Sequence, residues 1–85
     1  MIGDLTERDR AILALETVWP RHSGAKEEAI RAQLGMSAAR YYQLLGRLIE
    51  SDAALEFDPM LIRRLRRLRD SRVLRRSART PGFVG

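Results

Sequence analysis

The sequence predicts an all-α fold: a tri-helical helix-turn-helix core followed by an arginine-rich carboxyl-terminal helix. Three observations point to it. Apolar residues recur at helical spacing in separate stretches of the chain. The stretches are bounded by residues that start or stop helices: Thr6, Pro20, Gly35, Ser37 and the pair Asp58-Pro59. Basic charge is gathered into the last stretch.

Thr6 is a good N-cap, and Asp9 occupies the reciprocal capping-box position, with a shorter side chain than the usual Glu. Glu7 and Asp9 also suit the positive end of a helix dipole. Ile12, Leu15 and Trp19 make one stripe, widened by Ala11 and Leu13, so a helix is expected over residues 6–19. Pro20 then removes a donor and restricts the residue before it, ending the helix. Trp19, the only tryptophan, is the expected anchor of a small core. Residues 20–24 form a loop. Its His22 is the only histidine and has no metal-ligand spacing around it, so it is expected to be solvated.

Ser23 or Gly24 starts the second helix, which runs to about Leu34 with Ile30 and Leu34 on one face. Gly35 supplies the left-handed conformation a helix C-cap needs. Ser37 caps a third helix running to about Glu50. In that helix Tyr41, Leu44, Leu45, Leu48 and Ile49 form a single apolar stripe. Residues 51–57 read as a connector with one helical turn, whose Ala54, Leu55 and Phe57 close the bottom of the core. Asp58 caps and Pro59 opens a long last helix. Leu61, Leu65 and Leu68 give it one stripe, with Ile62 alongside, so its first half should pack on the body and its second half project. The expected organisation is therefore residues 1–58 as the helix-turn-helix core, 59–79 as the arginine-rich helix and 80–85 as a disordered tail. Residues 1–4 should fray.

With 85 residues the chain has room for one domain and a marginal core. It has no cysteine, which removes disulfides and thiolate metal sites. Its amino-terminal run lacks the apolar core of a signal peptide, and no run approaches a membrane span. A cytoplasmic protein, at the nucleoid if it binds DNA, is the expectation, with no membrane partner. The net charge of +5 is unevenly spread. Residues 1–58 carry seven Lys/Arg against ten Asp/Glu, whereas residues 59–85 carry nine Arg against Asp70 alone. A body with a basic arm seeks an anion: nucleic acid, or an acidic protein or membrane surface.

The segment LTERDRAIL, followed by AIRAQLGMSAARYYQLLGRLI, resembles the tri-helical helix-turn-helix of bacterial regulators and of the fourth region of sigma factors. Ile30, Leu34, Gly35, Met36, Tyr41 and Leu44 fall at the motif's hydrophobic and glycine positions. Arg31 departs from it, standing where a small residue normally packs on the next helix, which implies a looser or re-oriented crossing. Over nearly the whole chain, the runs LTERDRAIL, GAKEEAI, MSAARYYQLL, DPML and RRLRRLR, with Trp19, resemble a family of small uncharacterised actinobacterial proteins. That resemblance implies the fold and a bacterial cytoplasm and adds little about activity.

If the third helix enters a major groove, its outer face is Ala39, Gln43 and Gly46, flanked by Arg40, Tyr42 and Arg47. Gln43 can pair with adenine, and Arg40 or Arg47 with guanine or phosphate. Ser37 and Tyr42 can donate to phosphates. On the last helix Arg63, Arg64, Arg66 and Arg67 are the expected phosphate ligands, since a guanidinium fork suits phosphate. Like charges at that density repel, which suggests an external counter-charge. The plainer alternative has Arg40 and Arg47 paired with Glu50 or Glu56 on a solvated face, and Tyr42 partly buried against the last helix. The carboxylates read as caps and exposed groups, no nucleophile–base pair appears, and no enzymatic activity, cofactor or metal is expected. DNA binding, by a small transcriptional regulator or nucleoid-associated factor, is the first expectation. A module docking on RNA polymerase, a sigma factor or another acidic partner is the second, and RNA or ribosome binding the third. A homodimer through another surface stays open, though three leucines are too few for a coiled coil.

Overall fold

Capping chemistry sets the helix boundaries. The computed structural model describes residues 4–79, with side chains described through residue 71. Residues 1–3 and the tail at 80–85 lie outside the described residues, as do the side chains of Arg72, Arg75, Arg76 and Arg79. The elements are α1 (Glu7–Val18), α2 (Gly24–Leu34), α3 (Ala38–Ile49), α4 (Asp52–Phe57) and α5 (Pro59–Arg79). The fold is all-α, as the sequence predicts.

Thr6 and Asp9 complete their capping box: the Asp9 amide donates to Thr6 Oγ1 and the Thr6 amide to Asp9 Oδ2, both at 3.0 Å. Asp is long enough for this role here. Ser23 caps α2 by accepting from the Lys26 amide, and Ser37 caps α3 by accepting from that of Arg40. Gly35 ends α2 in the left-handed region at φ 64°, a conformation that other L-residues adopt only with strain. The connector at 51–57 is more regular than expected, because Ser51 accepts from the Ala54 amide and caps α4. Asp58 Oδ1 accepts from the Leu61 amide at the start of α5.

α1, α2 and α3 pack mutually into a three-helix head, while α4 and α5 pack on one another and on α3. The core gathers Ile12, Leu13 and Leu15 from α1, Ile30 from α2, and Tyr41, Leu44, Leu45 and Leu48 from α3. Ala54, Leu61, Ile62 and Leu65 close it from below. Trp19 packs against this core from its rim, half-buried. Two expectations are corrected. Phe57 is 53 % exposed rather than closing the core; it is the last residue of α4, where the helix gives way to Asp58, and Ala54 is the residue that α4 buries. Leu68 is 49 % exposed, and the buried stripe of α5 is Leu61, Ile62 and Leu65. The loop after α1 stays away from α5 at that level, leaving a cleft between them.

The head also contains charge. Glu16 is 4 % exposed and Lys26 1 %, against the expectation that every carboxylate is a cap or a surface group. Lys26 Nζ stands 2.8 Å from Glu16 Oε1. The Tyr41 hydroxyl donates to the same oxygen at 2.7 Å, with the Ile12 carbonyl oxygen 3.3 Å away. The ammonium also lies 5.6 Å and 5.1 Å from the ring centres of Tyr41 and Tyr42. One carboxylate thus joins α1 to α2 and α3. Burial, followed by the Glu16 hydrogen bond and charge, raises the Tyr41 hydroxyl well above the ordinary phenol range.

Removing one partner of a buried pair leaves the other charge without compensation. Glu16→Ala and Lys26→Ala are each expected to cost about 3–5 kcal/mol in urea denaturation followed by circular dichroism. Glu16→Leu with Lys26→Met in one chain should cost far less than the sum of the single changes, because the pair is replaced by apolar groups of similar bulk.

Candidate nucleic-acid interface

α3 has two unlike faces. The inner one is its apolar stripe. The outer one carries Ala39, Arg40, Gln43 and Arg47, all exposed. α5 packs against α3 without covering these four residues, so the long helix and the outer face do not compete. Arg40 donates to Gln43 Oε1 at 2.9 Å across one turn. The contact uses the Gln43 carbonyl oxygen and not its amide nitrogen. Ser37, also exposed, accepts from the backbone and keeps its own O–H to donate outward. Gly46 is exposed, and a side chain there would meet nothing within 4 Å. It also lines the cleft between α3 and α5.

Tyr42 does not belong to that outer face. It is half-buried, its ring centre is 4.5 Å from that of His22, and its hydroxyl is buried without a hydrogen-bond partner. A hydroxyl so placed is not available to donate to a phosphate. His22, expected to be solvated, is exposed but held against this ring.

The arginines of α5 divide by role. Arg66 is half-buried, and its Nε donates to the Ile49 carbonyl oxygen at 2.7 Å. It meets the last turn of α3, where unpaired carbonyls and the negative end of the helix dipole favour a cation. It therefore holds α5 to α3 instead of standing ready for a phosphate. Arg69 hydrogen-bonds to Glu50 and, at 3.2 Å, to Asp70. Glu50 is therefore engaged by α5, not by Arg40 or Arg47. Arg63, Arg64 and Arg67 are exposed and have no ion-pair partner among the described residues. Arg63 and Arg67, four residues apart, share the outer side of the helix. Arg31 is exposed too, 3.7 Å from Glu28, while Ala29 and Ile30 make the buried contacts of α2. The crossing therefore does not have to accommodate the Arg31 side chain.

Residue type alone does not reveal the buried Glu16–Lys26 pair, but its spacing carries a signal. Glu16 falls four residues after Ile12 and Lys26 four before Ile30, so each occupies a position on an apolar face. Opposite charges at such positions on consecutive helices point to a pair.

Among the described residues, no group of His, Asp and Glu could hold a metal ion, and no helix is long and apolar enough to cross a membrane. The fold and its exposed faces define a small all-helical domain with a basic carboxyl-terminal helix. The chain belongs to the family described as "protein of unknown function (DUF3263)", whose model matches residues 4–77. No curated protein and no solved structure matches it.

If Arg66 fastens α5 to the end of α3, Arg66→Ala should lower stability by roughly 1.5 kcal/mol, the scale of a hydrogen bond from a charged donor. It should also speed amide hydrogen exchange in α5 more than in α1. Uniform exchange rates along the chain would show that Arg66 has no such role.

Proposed function

We propose that this protein binds duplex DNA, with α3 in the major groove and α5 on the phosphates. What carries the proposal is the outer face of α3, left open although α5 packs on the same helix, together with exposed and unpaired Arg63, Arg64 and Arg67. In this reading α2, the turn at Gly35 and α3 act as a helix-turn-helix, whose second helix presents its side chains to base edges. Gln43 is the residue suited to adenine, and Arg40 or Arg47 to guanine or phosphate. Ala39 offers only a methyl group, so base selectivity should be modest and phosphate contacts should supply most of the affinity. A small transcriptional regulator or nucleoid-associated factor fits that balance.

One observation favours a second reading, docking on an acidic protein of the transcription machinery. Met60 and Phe57, on either side of the α4–α5 junction, are 81 % and 53 % exposed, and phosphates have no use for apolar side chains. RNA binding would engage the arginines of α5 and not need the α3 face.

Gel shifts on random duplex DNA over a salt series test the proposal. Binding should weaken steeply with salt, and the double change Arg63→Ala, Arg67→Ala should reduce the log–log slope by roughly two. Gln43→Ala should leave that slope unchanged. Absence of binding at low salt would remove the DNA reading, and a protein partner retained after nuclease treatment would favour the second.

A further inference from the structure

Between the α1–α2 loop, α3 and α5 the surface opens into a cleft of about 660 Å³. Small-molecule sites run from roughly 300 to 1,000 Å³. The walls are apolar, with Leu45 and Ile49 from α3 facing Leu65 and Leu68 from α5. This is where Leu68 fails to reach the core and remains half exposed. At its inner end lie Glu16 and Lys26, two charged groups almost fully buried and paired with each other. Tyr42 lines it as well, carrying the buried hydroxyl that has no partner. Such a group destabilises a fold unless something meets it.

The charges around the cleft do not cancel. Lys26 is neutralised by Glu16, and Arg69 by Glu50 and Asp70. Arg21, on the loop at the rim beside His22, has no ion-pair partner among the described residues. Among the described residues that line the cleft, the uncompensated charge is therefore a single guanidinium, set next to apolar side chains.

We propose that the cleft binds a small amphipathic carboxylate. Its apolar body lies between Leu45, Ile49, Leu65 and Leu68, and its head group pairs with Arg21. A guanidinium recognises a carboxylate through two parallel hydrogen bonds, which selects an anion over an alcohol or an amine. The occupant would bridge the loop after α1 to α5 and so stiffen the docking of the arginine-rich helix. Binding here does not depend on the DNA reading, because neither Gln43 nor the exposed arginines of α5 contribute to the walls.

Titration of the full chain, followed by amide chemical shifts, tests this with three probes: decanoate, 2-naphthoate and decyltrimethylammonium. At least one carboxylate should give saturable shifts at His22, Tyr42, Gly46 and Leu68, and the tighter of the two tells whether the body is aliphatic or aromatic. The ammonium should bind far more weakly. Arg21→Ala, on an exposed loop residue, should weaken the carboxylate roughly tenfold, the scale of one lost charge-assisted contact. The same change at exposed Arg10 on α1 should have no effect. Lack of saturation with both carboxylates, shifts centred elsewhere, equal affinity for the ammonium, or an indifferent Arg21→Ala would each overturn the proposal.

Discussion

A carboxylate buried in the middle of three helices constrains everything around it. Glu16 has to keep both Lys26 and the Tyr41 hydroxyl within hydrogen-bonding distance, since a lone charge in that position would be costly. The contacts fix α2 and α3 against α1 in rotation as well as in distance, because each partner reaches the same oxygen from a different helix. Apolar packing alone tolerates small rotations and exchanges of similar side chains. A buried ion pair is weak evidence for extra stability, and its contribution here is best understood as specifying one arrangement of the head.

That arrangement decides which residues of α3 face outward. With Tyr41 pinned to Glu16, helical spacing turns Leu44, Leu45 and Leu48 to the core and leaves Ala39, Arg40, Gln43 and Arg47 in solvent. α5 is then added by a different kind of contact. Its Leu61, Ile62 and Leu65 complete the core, while Arg66 and Arg69 attach it to the carboxyl end of α3. Two cations of a crowded basic helix thus find partners within the protein. Among the described residues Arg63, Arg64 and Arg67 find none, and like charges at this spacing repel one another.

Local chemistry made most of the fold legible in the sequence. Thr6, Ser37 and the Asp58-Pro59 pair start helices through side-chain oxygens that act within three residues, and Gly35 ends one through its own backbone freedom. The stripe of α3 is buried much as its spacing implies. What could not be read depends on how helices meet. Phe57 and Leu68 stand at apolar positions but remain exposed, the first as the last residue of α4 and the second lining the cleft between α5 and the loop after α1. Arg66 reads as a surface residue and Tyr42 as either a phosphate donor or a partly buried ring, and only the approach of α5 and His22 shows both engaged. Glu16 and Lys26 looked like ordinary charges because each was judged by residue type, not by its place on an apolar face.

The stability of the wild-type chain and of Tyr41→Phe, compared from pH 9 to pH 12, tests the central role of the buried cluster most directly. In the folded protein the Tyr41 hydroxyl is held above its ordinary range by burial and by Glu16, so it keeps its proton where an unfolded chain would lose it. The folded state then binds more protons than the unfolded state above about pH 10, and stability must fall as pH rises. Wild type should lose roughly 1.4 kcal/mol more per pH unit above that point than Tyr41→Phe does. Parallel curves for the two proteins would mean that the folded head does not hold the Tyr41 hydroxyl protonated, and would contradict its place in the buried cluster.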